Sequence, residues 1–233
     1  MSQQLESNVA TIALEHAVRG KVVYLLALVV LVESIYPITL AGTLPLVLYQ
    51  VLYASMIVIG VVVGRDSPRH AWFLAVAGTV YMVAGIVYSF NSTATWAVLT
   101  TYVALIPYHA LLMSVLVRFI FVARSITRDV LYAATTVYML LGALFVPVYG
   151  LLETLAPGSF RDGAAPDGPV NWQQFVYFSF TTLTTAGYGD VLPISPWARS
   201  LANTEMVVGV LYLTIIMARL VGLYTSKRQG ETR

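Results

Sequence analysis

The chain has 233 residues, of which 58% are hydrophobic and only 10% charged. Soluble domains carry about 25% charged residues, so this composition belongs to a chain that sits in lipid rather than in water. A net charge of +2 makes no electrostatic case for nucleic acid, and the lack of cysteine excludes disulfides and thiolate metal sites.

The first twenty residues are polar and mixed in charge. They hold no short apolar core and no small-residue cleavage site, so no cleaved signal peptide is expected. Within 3–18, Leu5, Val9 and Ile12 recur at the spacing of an interfacial helix on the inner leaflet. A membrane helix needs about 20 apolar residues. Six stretches qualify, at 21–40, 44–64, 70–90, 96–123, 130–152 and 196–224. Ala41-Gly42-Thr43, the polar break Arg65-Asp66-Ser67-Pro68-Arg69 and Asn91-Ser92-Thr93 connect the first four.

Basic residues give the expected orientation. With both termini cytoplasmic, Arg19, Lys21, Arg65, Arg69, Arg118, Arg124, Arg128, Arg219, Lys227, Arg228 and Arg233 lie inside, which is 11 of the 13. Only Arg161 and Arg199 fall outside. Five or seven spans would put the charged tail on the wrong side. The first four spans carry no other motif. A voltage sensor needs several arginines at every third position in one span, and the fourth span has only Arg118. Arg124 and Arg128 stand at or beyond its inner end, as positive-inside anchors. Glu33, one turn before Pro37, needs a polar partner at membrane depth; His109 is one candidate and another polar group the alternative.

The segment 153–174 is punctuated by Pro157, Gly158, Gly163, Pro166, Gly168 and Pro169. It carries Glu153, Asp162 and Asp167 and is expected outside. Asn171 can cap a helix, with Gln174 three residues on as in a capping box. The apolar run that follows, to Thr184, is too short to span and reads as a re-entrant helix. Irregular backbone at membrane depth survives only where protein or a water-filled path surrounds it. That places special weight on what comes next, Thr184-Thr185-Ala186-Gly187-Tyr188-Gly189-Asp190. Glycine at alternate positions lets a backbone turn its carbonyls to one side. Several such strands around an axis can replace the water shell of a cation.

From about Val130 to Tyr224, roughly 40% of the chain, these residues resemble the outer helix, pore helix, selectivity filter and inner helix of the tetrameric P-loop potassium channels, small bacterial members above all. The likeness rests on Tyr177-Phe178-Ser179-Phe180 before Thr181-Thr182-Leu183-Thr184, on the filter string, and on Asp190, Pro193, Trp197 and Arg199. Gly209, Leu211-Tyr212-Leu213 and Ala218-Arg219-Leu220-Val221 extend it along the inner helix.

The resemblance implies K+ sites at the carbonyls of Thr185, Ala186, Gly187 and Tyr188, the Thr185 hydroxyl completing the innermost. Gly187 and Gly189 permit the alternating handedness, and Tyr188 packs outward against the pore helix. Thr184, Asp190, Phe178, Thr181 and Glu205 are the expected filter supports; Glu205, costly in an apolar span unless paired or protonated, either braces the pore helix through Thr181 or Thr182, tunes gating, or is a packing carboxyl with its bonds satisfied. Gly209 is the expected hinge, and Leu213 and Met217 the expected cavity lining. Asp162, Asp167 and Asp190, taken fourfold, form an acidic outer mouth. K+ is the expected occupant, with no organic cofactor. One filter segment per chain implies a homotetramer in the bilayer.

Two departures stand out. Ala186 replaces the usual valine or isoleucine of T-V-G-Y-G, so packing behind the filter is expected to be looser. Phe178 replaces a tryptophan that in some members bonds the filter tyrosine, so the Tyr188 hydroxyl needs another partner or water.

The expected organisation is an all-α membrane protein of six transmembrane helices with a re-entrant pore helix and filter between the fifth and sixth. Residues 1–20 form a cytoplasmic segment, 21–123 a four-helix domain, 124–225 the pore domain and 226–233 a short tail. If helical, 196–224 is about 43 Å long and must tilt. With so short a tail, no cytosolic sensor domain is expected. The expected function is passive, leak-like, potassium-selective conduction in a prokaryotic cell membrane, not classical voltage gating. The sequence names neither a gating stimulus nor an auxiliary subunit. A non-selective cation channel of the same fold is the main alternative. An intramembrane aspartyl protease is a remote one: Gly187-Tyr188-Gly189-Asp190 fits its G-x-G-D string, but no second aspartate lies at membrane depth. A transporter would show paired broken helices, and the two halves of the chain are not alike.

Overall fold

A computed structural model describes residues 20–165 and 168–231. The interfacial helix expected within 3–18, and Asp167, lie outside the described residues. Each long apolar stretch is a helix: α1 is Val22–Ile35, α2 Thr43–Val63, α3 Pro68–Phe90, α4 Thr95–Val122 and α5 Arg128–Leu155. The short α6 is Trp172–Leu183, and the last helix, α7, is Pro196–Glu231. Among the described residues, six helical segments are long and apolar enough to cross a membrane, α1 counted with its continuation to Ala41. At 12 residues α6 is not among them.

Local chemistry sets the boundaries. Pro68 opens α3, where its missing N–H costs nothing. Thr127 caps α5, its hydroxyl accepting from Val130 N at 3.3 Å, with Asp129 in the positively charged first turn. Pro37 stops α1 earlier than its hydropathy does. It lacks an N–H and collides with the carbonyl four residues back, so 36–41 winds as a 3-10 helix. Hydroxyls within the apolar helices bond the carbonyl one turn back, as Ser34 does to Val30 O (2.6 Å) and Thr79 to Ala75 O (2.7 Å).

Helices α1 to α4 pack each on the next, and α5 closes the group by packing on both α4 and α1. Their shared core includes Leu25, Val29, Met56, Leu74, Leu112 and Leu140. Helix α6 lies on α5, and α7 lies on both. A second core of Tyr149, Phe160, Phe175, Phe178, Val191 and Ala198 sits at this junction. Helix α7 leaves Val207, Val210, Leu213, Met217 and Val221 exposed.

The all-α expectation needs one amendment. Strands β1 (Phe160–Asp162) and β2 (Val191–Pro193) pair antiparallel, with Arg161 opposite Leu192. Three-residue strands containing a proline and two charges carry no readable alternation, so the sequence showed only loop there. The pair fastens the outer loop to the chain leaving the filter string.

Candidate ion-conduction site

Helix α6 is pinned at both ends. At its start the Gln174 side chain accepts from Asn171 N at 2.5 Å, and its amide donates to the Asp162 carboxylate. Trp172 rests on Tyr49 and Tyr36, with ring centroids at 5.7 and 6.3 Å. Gln173 Nε2 donates to Thr39 Oγ1 at 3.1 Å. The proline-induced 3-10 segment thus meets the head of α6. At the other end Leu183 O accepts from the Tyr138 hydroxyl at 3.4 Å.

The helix stops at Leu183, and the backbone then alternates in hand. Thr185, Gly187 and Gly189 lie at φ of +58°, +50° and +80°, while Ala186 and Tyr188 between them do not. Alternation of this kind turns successive carbonyls to one side of the strand. A β-branched residue at positive φ is an outlier that its surroundings must enforce. Thr185 N donates to Thr182 O at 2.9 Å, and Gly187 N to Thr181 O at 3.1 Å. The end of α6 folds back to hold the strand that follows it, with its negative dipole end, about −0.5 charge, beside the start of that strand.

Tyr188 stacks on Tyr177, the rings 6.4 Å apart and 10° from parallel. The Tyr177 hydroxyl bonds the Asp190 carboxylate and holds its pKa below the ordinary value, helped by the Val191 backbone N–H at 3.0 Å. A lowered pKa favours the charged form. That contribution is full above the ordinary carboxylate pKa and is lost as pH falls through the lowered value. Tyr177→Phe removes the main cause, so Asp190 is expected to titrate at higher pH. Carbonyl NMR of labelled aspartate checks this; an unmoved titration would refute the assigned partner.

The remaining expected site residues fall as follows. Phe178 does not face Tyr188; it is buried against Tyr149 and Phe160, at centroid distances of 5.1 and 5.5 Å. The Thr181 and Thr184 hydroxyls bond carbonyls inside α6, Phe178 O at 2.9 Å and Phe180 O at 2.7 Å. Thr181 therefore meets the strand that follows α6 through its backbone carbonyl, not its hydroxyl. Glu205 is wholly buried and meets neither Thr181 nor Thr182; its partners are Ser179 on α6 and Tyr149 on α5. Gly209 is buried against Leu183. Leu213 and Met217 share an exposed face of α7. His109 pairs with the Tyr53 hydroxyl at 2.6 Å rather than with Glu33. Both nevertheless line one cavity of about 60 Å³ beside Gln50, Tyr81 and Tyr102. Arg219 caps the end of α4, its guanidinium donating to Phe121 O (2.8 Å) and Ala123 O (2.7 Å).

Tyr149 was not singled out by sequence, and Tyr177 and Ser179 stood there only within the string before Thr181, with no role of their own. Tyr149 and Ser179 lie 56 and 26 residues from Glu205, and no local pattern connects them. A carboxyl within an apolar span was itself the one signal that partners must exist.

A short helix that ends in a strand of alternating hand thus lies between α5 and α7. Residues 126–226 match the family described as "Ion channel". The chain is 30% identical over 100 residues to the inward rectifier potassium channel Kirbac3.1 of Paramagnetospirillum magnetotacticum, covering 41% of this chain and 30% of that one. It is 30% identical over 84 residues to the potassium channel protein kcv of Paramecium bursaria Chlorella virus 1, covering 35% of this chain and 84% of the viral protein. It is 34% identical over 65 residues to the two pore potassium channel c of Oryza sativa subsp. japonica, covering 28% of this chain and 14% of that one. No solved structure matches. The chain belongs to the P-loop potassium channel family. It is an integral membrane protein and a channel, not an enzyme, which removes the protease alternative. It spans less than a third of the bacterial and rice relatives.

Proposed function

We propose that this protein conducts K+ passively through a pore formed by four copies of the chain. The observation that carries this reading is the alternation of φ at 185, 187 and 189 immediately after α6. In a fourfold arrangement the carbonyls of Thr185, Ala186, Gly187 and Tyr188 replace the hydration shell of the ion. The exposed apolar face of α7 supports assembly, since Leu213 and Met217 would line the cavity below the filter. Helix α6 is the re-entrant pore helix, 124–225 the pore domain, and 21–123 a peripheral four-helix domain. Both termini face the cytoplasm of a prokaryotic cell. With no arginine ladder in α4, the channel is leak-like. Single-channel recording of purified protein in planar bilayers with K+ and Na+ on opposite sides tests this. A reversal potential near the K+ limit and shallow voltage dependence are expected; steep voltage dependence or a required cytosolic ligand would overturn the leak reading.

A non-selective cation channel remains a second reading because of one position. Ala186 lines a cleft of about 410 Å³ behind the filter strand, beside Thr181, Thr184 and Tyr188. The missing methyls leave the strand less supported, by roughly 1 kcal/mol per subunit. Ala186→Val is expected to raise the K+ over Na+ permeability ratio. An unchanged reversal potential under bi-ionic conditions would reject the loose-packing argument.

A further inference from the structure

The contacts of Glu205 do not add up for a carboxylate. Ser179 Oγ lies 2.5 Å from Glu205 Oε1 and 2.8 Å from Gly142 O. A serine hydroxyl has one hydrogen, and both of these neighbours, a carboxylate and a carbonyl, would be acceptors only. The Tyr149 hydroxyl meets the other carboxyl oxygen. Three contacts are made, and Ser179 and Tyr149 supply two hydrogens. A third hydrogen on Glu205 completes the set: the acid O–H donates to Ser179, Ser179 donates to Gly142 O, and Tyr149 donates to the acid carbonyl. Glu205 and Ser179 are each wholly buried within one protomer, where an unpaired charge is costly. The other titratable group beside it is Tyr138 of α5, and no cation among the described residues makes an ion pair with it.

We propose that Glu205 carries its proton and, as a neutral acid, acts as a positioning residue that clamps the pore helix between the outer and inner helices. Ser179 sits on α6 four residues before Leu183, the last residue ahead of the filter strand. Tyr149 and Gly142 belong to α5, and Glu205 to α7, so one side chain joins all three helices of the pore module. The acid acts through α6 and does not touch the ion. The inference deepens the channel reading, and its functional arm rests on it.

The test compares Glu205→Gln with Glu205→Leu. Glutamine keeps the shape and both bonds: its amide donates to Ser179 and its carbonyl accepts from Tyr149, with one N–H more than the acid has. Leucine leaves both hydroxyls without it. In reconstituted protein, Glu205→Leu is expected to lower the K+ over Na+ permeability ratio about tenfold, the scale of one or two unmade buried hydrogen bonds. Glu205→Gln should recover most of that loss. An ionised Glu205 that acted by its field would remove that recovery, with glutamine as damaging as leucine. Infrared spectra of the purified tetramer provide an arm that needs no current. The wild type should show a protonated carboxyl band that is absent from Glu205→Gln and persists through neutral pH. Absence of that band, or failure of Glu205→Gln alone to assemble, would overturn the proposal. A band with no K+ current would instead leave the clamp intact and refute the conduction reading.

Discussion

Alanine at Gly187 or Gly189 is expected to abolish K+ current while leaving the helices folded. Both residues sit at positive φ, +50° and +80°. A Cβ at either position meets no atom within 4 Å in the protomer, so the cost is conformational rather than a clash. An L-residue forced into the left-handed region pays roughly 1–2 kcal/mol. In the proposed tetramer, four copies would place about 4–8 kcal/mol against the conducting geometry. At a factor of ten per 1.4 kcal/mol, that is a loss of about a thousandfold or more. The strand has a cheaper response, to flip the peptide and turn a carbonyl away from the axis. Conduction should therefore fail before assembly does. D-alanine, for which positive φ is the favoured side, separates the two explanations: it should restore current where L-alanine removes it. Current in the L-alanine variants at wild-type levels would mean that the alternation of hand is not what serves the ion.

How much of this was legible in the sequence follows from the range of the interactions. The apolar helices were readable because lipid imposes one rule, length of apolar run, on each of them separately. The short pore helix was readable because it breaks that rule and is followed by glycines at alternate positions. Pro37 was visible, but its consequence was not: a proline can kink a helix or end it, and here it rewinds 36–41 toward Trp172 and Gln173 of the pore helix. The same holds for Glu205. Its isolation in an apolar span advertised a partner, and threonines of the pore helix were the near choice by sequence. Helix rotation decided otherwise, because Ser179 faces α7 and α5 while Thr181 faces the cleft behind the filter strand. Phe178 follows the same rotation: its ring turns into the aromatic core around Tyr149, and Tyr177 lies beside Tyr188.

Gly209 offers the other large effect, and a choice between two roles. A hinge needs freedom, and its replacement by alanine should alter open probability while selectivity stays put. The packing suggests a tighter constraint. A Cβ built on Gly209 lies 2.7 Å from Leu183 O and 2.8 Å from Leu183 Cδ1. The leucine side chain can move, but its carbonyl is the last of the pore helix and already accepts from Tyr138. Alanine gains about 1 kcal/mol over glycine in helix propensity. Overpacking against fixed backbone costs typically 1–3 kcal/mol, so the clash outweighs the gain. Either α7 withdraws from α6, or the base of the filter shifts with Leu183. Gly209→Ala is therefore expected to lower the K+ over Na+ permeability ratio, and Gly209→Val, larger and β-branched, to prevent tetramer assembly. Adding Leu183→Ala should not rescue either variant, because it removes the movable atom and leaves the carbonyl. If Gly209→Ala changed gating alone at full selectivity, or if Leu183→Ala restored it, the contact would be a soft one and the hinge the better account.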